Sequence, residues 1–293
     1  MGKWLTAAAV VLAVLIAAEV WRELHRFVVT EYEITSPKLA GEGQERRIVF
    51  LSDLHNHEYG ERNCELVEAV REAKPDLILV TGDMLVGKPG RSAEKAAAFM
   101  RQLPGIAPVY YANGNHEQRM RENPKKYGSI YQEYKEELEQ AGIIWLENAS
   151  CPLDWEGRRV RIYGLEIPMA CYFRPRRYHP VAADIRERLG EPAEEEYNIL
   201  LAHHPEFAGL YKAWGADLIL SGHLHGGIAR LPGIGGVISP QAGLFPKYSG
   251  ECSREGDTSI VVSKGLGTHT INLRFWNPAE MIVLRVRGGK GEE

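Results

Sequence analysis

Five apolar runs in this chain each stop at an aspartate, asparagine or histidine, most of them beside a glycine. "VFLS" runs into Asp53-Leu54-His55, "LILVT" into Gly82-Asp83, and "VYYAN" into Gly114-Asn115-His116-Glu117. "NILLA" is followed by His203-His204-Pro205, and "LILS" by Gly222-His223-Leu224-His225. Short apolar runs of this length read as buried strands, and amphipathic segments lie between them. Cys64–Lys74 places Leu66, Val67 and Val70 on one helical face, and Ser92–Leu103 reads as a helix with Ser92 as its N-cap. Tyr131–Gly142 turns Tyr131, Tyr134 and Leu138 inward, and Phe207, Leu210, Tyr211 and Trp214 recur at helical spacing. Arg159–Ile167 alternates like a half-buried strand. The alternation of strand and helix predicts βαβ units and a largely parallel sheet. The strand-rich tail, with Thr258–Ser263 and Glu280–Val286, predicts a second sheet packed on the first.

Ligands of open α/β sheets bind beyond the carboxyl ends of the strands, so five such ends are expected to converge. In extended backbone residues i and i+2 share a face, which lets Asp53 and His55 reach one ion and points His223 and His225 the same way. Asp53, His55, Asp83, Asn115, His203, His223 and His225 are seven donors, too many for one tetrahedral ion. They suit two ions about 3.5–4 Å apart with Asp83 between them. Taken singly, Asp-x-His is ordinarily a strand-end cap, and Gly-Asp or Asn-Gly-Asn is ordinarily a turn. Their coincidence at five strand ends is what argues for chemistry.

In order, "SDLH", "TGD", "NGNHE", "LLAHHP" and "SGHLH" resemble the calcineurin-like metallophosphoesterase superfamily. With "SDLHNHEYG", "GLFPKYSG" and "SKGLGT", the chain is similar to its bacterial membrane-anchored, YkuE-like branch. Many relatives carry Gln after "HGG", where this chain has Ile228. The resemblance implies an α/β fold, a four-layer αββα sandwich of two mixed sheets. It implies one metal on Asp53, His55, Asp83 and His225, and a second on Asp83, Asn115, His203 and His223. His116 would contact the phosphoryl oxygen or protonate the leaving group. Histidine, carboxylate and amide donors without thiolate suit Mn, Fe, Zn or Co better than Ca, with Mn²⁺ the first expectation. The implied reaction is phosphoester hydrolysis by a metal-bridging hydroxide attacking phosphorus, on a phosphodiester or pyrophosphate that is membrane-associated or nucleotide-like.

The amino terminus is of another kind. Trp4–Ala18 is almost wholly apolar, and with Val20 and Trp21 it reaches the length a bilayer-spanning helix needs, Trp4 and Trp21 marking the two interfaces. No convincing small-residue cleavage site follows, so an uncleaved single-pass anchor is expected rather than a removed signal peptide. Basic residues flank both ends, and the positive-inside rule leaves its direction open. The expected organisation is an anchor over 1–29, a linker and first strand over 30–46, the metallophosphoesterase domain over 47–288 and a polar tail over 289–293. A net charge of -4 and a pI near 6.2 argue against a stable nucleic-acid partner. The four cysteines are too scattered for a thiolate metal site or a disulfide framework.

Arg174, Arg176 and Arg177, among aromatics in "CYFRPRRYHP", are candidates for a lip receiving an anionic, lipid-linked or nucleotide-like phosphoester; they read equally as a solvated loop. Arg119, Arg121, Lys125 and Lys126 read as a solvated face, and His57 and His204 as neighbours of ligands. Amidohydrolases and metallo-β-lactamase folds place His-x-His earlier or follow it with Asp-His, which this chain does not. The alternative function is an inactive, membrane-tethered interaction scaffold, which would be expected to lose ligands; all seven and His116 are present.

Overall fold

A computed structural model describes residues 2–39, 45–173, 178–227, 229–231, 235–238, 243–268 and 272–289. Helix α1 (Gly2–His25) leads with a single intervening residue into β1 (Phe27–Ser36). There follow β2 (Arg46–Leu51), α2 (Cys64–Glu72), β3 (Leu77–Val80), α3 (Glu94–Met100) and β4 (Val109–Tyr111). Helices α4 (Asn115–Glu122), α5 (Pro124–Tyr127) and α6 (Ile130–Gln140) come before β5 (Ile144–Trp145), β6 (Ala149–Trp155) and β7 (Arg158–Leu165). After α7 (Ala182–Leu189) come β8 (Tyr197–Ala202), α8 (Ala208–Trp214) and β9 (Leu218–Ser221). The chain ends through β10 (Arg230–Leu231), β11 (Gly235–Gly236), β12 (Cys252–Glu255), β13 (Thr258–Val262) and β14 (Ala279–Gly288).

Two six-stranded sheets result, in the orders β1-β14-β2-β3-β4-β5 and β12-β13-β9-β8-β7-β6. Both are mixed. Strands β2 to β5 run parallel while β14 opposes β2, and in the other sheet β6 and β12 oppose a parallel centre. The tail does not build the second sheet by itself. Strand β13 joins β9, whereas β14 crosses back to pair with β2 in the first sheet.

Side chains alternate across each strand, and here both faces are covered. Ile48 and Phe50 of β2 meet Ile199, Leu201, Leu218 and Leu220 of the facing sheet. Val49 and Leu51 pack outward on Leu66, Val67 and Val70 of α2, Phe99 of α3 and Tyr134 of α6. Leu200 and Ile219 pack outward on Ile185 of α7 and on Tyr211 and Trp214 of α8. Helices therefore lie outside both sheets, giving four layers. Each fully buried Leu or Ile contributes about 1.5–3 kcal/mol, so three contiguous cores fix the strand ends on which the site stands.

Several local readings change. Ser92 is not the N-cap of α3, which starts at Glu94 after Ala93; its Oγ instead accepts the Glu94 N–H at 3.0 Å. Strand β7 is half-buried only toward its start, because the facing sheet covers Val160 and Ile162 while α7 and α8 cover Tyr163 and Leu165. Of the expected linker and first strand over 30–46, residues 40–44 lie outside the described residues, as do residues 290–293 of the expected tail. Helix α1 is long and apolar enough to cross a bilayer and lies open along its apolar stretch; Glu23 in its last turns is buried.

Candidate metal centre

The five expected strand ends meet at one end of the two sheets. Beyond β2 and β3 the ladder continues without strand geometry: Asp53 N–H donates to the Gly82 carbonyl and His55 N–H to the Asp83 carbonyl, both at 3.0 Å. Asp53, His55, Asp83, His223 and His225 all have left-handed backbone, with φ of 55°, 49°, 53°, 70° and 51°. The extended i, i+2 geometry expected of Asp-x-His and His-x-His is therefore absent. The left-handed residues coil the chain at each strand end and swing the side chains inward, a strain of about 1–3 kcal/mol each that cores and hydrogen bonds must hold.

Three groups of donor atoms result, each within 4.8 Å: Asp53, His55 and His225; His55, Asp83 and His116; and Asp83, His203 and His223. Thus His223 and His225 join different groups. The pairs are close: His55 Nε2 to His225 Nε2 is 3.1 Å, His225 Nε2 to Asp53 Oδ1 3.3 Å and His203 Nε2 to Asp83 Oδ2 3.2 Å. His55 Nε2 and His116 Nε2 lie 3.8 and 3.9 Å from that same Asp83 oxygen. Ligands about 2.1 Å from a shared ion stand about 3.0–3.4 Å apart, so these separations fit a divalent metal. Asn115 fits too, since its Oδ1 is buried without a hydrogen-bond partner.

Hydrogen bonds assign the imidazole protons. His203 Nδ1 faces the Thr81 carbonyl at 2.7 Å and His225 Nδ1 the Gly267 carbonyl at 3.1 Å, so each Nδ1 carries the proton and Nε2 presents a lone pair. His116 is the reverse: its Nδ1 accepts the Gly87 N–H at 2.8 Å, which leaves the proton on Nε2, the atom turned toward Asp83. Burial would raise the Asp83 carboxyl, but positive charge on the neighbouring His116 and His203, when they are protonated, holds it well below the usual carboxylate range. Burial, with the charge of Asp83 beside it, raises Asp53. Two buried carboxylates amid imidazoles form a site with negative charge to neutralise and nitrogen lone pairs to offer.

The chain matches the calcineurin-like phosphoesterase family over residues 46–227, more than half its length. It belongs to that family. It is 28% identical to the metallophosphoesterase YkuE of Bacillus subtilis, over 90% of this chain and 87% of that one. It is 26% identical to the phosphodiesterase YaeI of Escherichia coli, over 76% and 75%. Its fold also matches a candidate 5'-nucleotidase from Staphylococcus aureus, with a TM-score of 0.52 at 14% identity, over 85% of this chain and 56% of that one. The chain is accordingly a metallophosphoesterase, a hydrolase of phosphoester bonds with His/Asp clusters for a divalent metal centre.

The phosphoesterase holds its donors with residues that spacing did not reveal. Glu117 accepts backbone N–H groups from Asp83, Met84 and Gly114 and the Tyr111 hydroxyl, which locks the second and third strand ends together. Burial and the nearby Asp83 push it up to about 7. Arg274, buried, donates to the carbonyls of Lys264, Gly265, Gly267 and Asn277. Gly267 in turn donates to the Asp53 carbonyl at 2.6 Å. Asn277 Nδ2 donates to the carbonyls of His225 and Gly227. Gly267, Arg274 and Asn277 lie about 40 to 220 residues from the ligands they support, so no local motif marks them. Arg274→Met should lower metal affinity by about 10–100-fold, as losses behind a ligand do, with isothermal titration of Mn²⁺ as the check; unchanged affinity would reject this role.

Other candidates stand apart from the donors. His204 is fully buried behind His223, ring centroids 4.5 Å apart, and His57 packs edge-on against Tyr59. Arg121 is committed to Glu147 and Glu166 at 2.7 and 2.6 Å. Arg174, Arg176, Arg177 and Ile228 lie outside the described residues. Just before that segment, Tyr172 brings its ring within 5.1 Å of His223.

Proposed function

We propose that this protein is a membrane-tethered phosphodiesterase or pyrophosphatase working with two divalent cations, Mn²⁺ foremost. One observation carries the reading: Asp83 Oδ2 faces His203, His55 and His116 while donor groups gather on either side of it. Asp53, His55, Asp83 and His225 would hold one cation, and Asp83, Asn115, His203 and His223 the other. Such cations, when bound, make coordinated water nucleophilic near neutral pH and neutralise phosphoryl charge.

The chain's own groups supply the rest. The Asp83 carboxylate is held in place because its Oδ1 accepts the His116 N–H at 2.7 Å. Asp53 is fixed by the Ser52 hydroxyl at 2.5 Å and the His223 N–H at 3.1 Å. His116, with its proton on Nε2, is set to donate to a phosphoryl or leaving oxygen. Asp53, Asp83, His116 and His203 are buried, which strengthens each of these interactions. Helix α1 keeps the domain at a membrane as a single-pass anchor, and Arg174, Arg176 and Arg177 are the groups proposed to meet an anionic part of the substrate.

The direct test uses the full chain in detergent, dialysed against chelator and assayed on mono- and bis-p-nitrophenyl phosphate. Turnover of the bis compound should vanish and return with Mn²⁺. Equal turnover by the stripped protein would sink the reading. For His116→Gln we expect a loss of about 10²–10⁴-fold on alkyl phosphodiesters, whose leaving group needs a proton. The loss should be far smaller on p-nitrophenyl esters, whose leaving group departs as a stable anion. An equal loss on both would assign His116 to phosphoryl contact instead.

A further inference from the structure

The helix that can cross a bilayer leaves the domain at the metal-binding end. Strand β1 pairs parallel with β14, and β14 runs antiparallel to β2. The start of β1 therefore lies beside the end of β2, where Asp53 and His55 stand. Contacts agree. Phe27, two residues past α1, packs edge-on against Tyr59 at 4.8 Å, and Tyr59 donates to the Leu266 carbonyl next to Gly267. Gly267 is the residue that holds the Asp53 backbone.

Little slack separates helix and domain. From Trp4 to Trp21 an α-helix rises about 26 Å, close to the hydrocarbon thickness of about 30 Å. Trp21 then sits at the interface, where tryptophan is favoured. Strand β1 begins at Phe27, so this end of the domain cannot stand more than about 13 Å from the interface marked by Trp21.

The same end carries an exposed apolar fringe. Trp276 is 51% exposed and shares a cavity of about 600 Å³ with Arg22, Arg26 and Phe27 at the foot of α1. Leu244 and Phe245 are 68% and 58% exposed. They are tied to Trp276 through backbone: Phe275 bridges Ala229, Ala229 accepts from Val237, and Val237 accepts from Phe245. Val28 and Val29 at the start of β1 are exposed too, while farther from the helix the strand turns to Glu31 and Glu33. A monomeric soluble domain rarely gathers such side chains on one rim.

We infer that the metal-binding face is pressed against the bilayer, with Leu244, Phe245 and Trp276 seated among the headgroups beside α1, so that the site takes phosphoesters carried on lipids. The inference rests on the anchor and hydrolase readings above and names their substrate class. Continuity with α1 favours lipid over a protein partner on this rim, because any protein there would compete with a bilayer held within a few residues of it.

The test uses the full chain in vesicles of phosphatidylcholine and phosphatidylglycerol, with and without brominated acyl chains. Phe245→Trp places a reporter on the fringe, and Glu195→Trp places one at the opposite end, just before β8. The fluorescence added by Phe245→Trp should lose most of its intensity to bromine while that of Glu195→Trp does not. Equal quenching of the two would overturn the inference. In parallel, Leu244→Glu with Phe245→Glu should lower turnover of p-nitrophenyl phosphatidate in the vesicles by about tenfold or more. Turnover of soluble bis-p-nitrophenyl phosphate should be unchanged. Loss on both substrates, or on neither, would also overturn it. If the parent protein turns over neither substrate, the hydrolase reading fails, and quenching alone decides the placement.

Discussion

Asp83→Asn should fold, keep the surrounding hydrogen bonds, and lose at least about a thousandfold in Mn²⁺-dependent kcat/KM. The reason lies in which oxygen does what. Oδ1 accepts the His116 backbone N–H at 2.7 Å, so an asparagine in that place is selected to put its carbonyl oxygen there. Its NH₂ then occupies the position of Oδ2, 3.2 Å from His203 Nε2 and 3.8 Å from His55 Nε2. An amide NH₂ cannot ligate, and the position shared by both donor groups is lost. Two cations supply several kcal/mol of charge stabilisation. At about 1.4 kcal/mol per tenfold, losing their common ligand amounts to the stated thousandfold or more. Metal stoichiometry by mass spectrometry should fall with activity. Parent-level turnover with full metal content would remove Asp83 from its bridging place.

Among the described glycines, Gly82→Ala should be the costliest added methyl. Gly82 has φ +81°, and a Cβ there would collide with the Gly114 backbone nitrogen and lie 2.5 Å from the Asn113 carbonyl carbon. Neither atom can move without shifting Asn115 and His116, which follow directly. Left-handed alanine costs about 1–2 kcal/mol and backbone overpacking about 1–3 kcal/mol more. A loss of about 3 kcal/mol lowers Tm by roughly 6–12 °C at this size. Gly90→Ala is the control, because Gly90 has φ +74° but open space around its Cβ position. It carries the backbone strain alone and should fall by no more than about half as much. Equal shifts in the two variants, read by scanning calorimetry, would show that the collision with the third strand end is relieved.

Much of the site was legible because its chemistry sits at strand ends. Apolar runs that terminate in Asp, Asn or His announce both the strand and the candidate donor beyond it, and the spacing of five such ends supplied seven candidates, to which the family resemblance added His116. The stated reason for their convergence was incomplete. Asp53 and His55 fall in one donor group through left-handed backbone and not through an extended face, a conformation that tertiary hydrogen bonds impose and residue type does not foretell. The supports were not legible. Glu117 lies inside a motif, but its grip on the Asp83 and Met84 amides depends on β3 and β4 being neighbours. Arg274 and Asn277 follow no apolar run and act on carbonyls, which every residue has.

By itself the sequence marked the candidate donors, the helix long and apolar enough for a bilayer, and the alternation that fills three cores. It did so because each rests on side chains within a few positions of one another. Only the tertiary structure decided that His223 and His225 part into different donor groups and that β14 returns to the first sheet. Only it decided that α1 departs beside the metal-binding loops. These depend on pairings such as Thr30 with Glu280 and Asp53 with Gly267. Between partners so distant, register and direction follow from which buried faces can close on each other, and no local pattern encodes that.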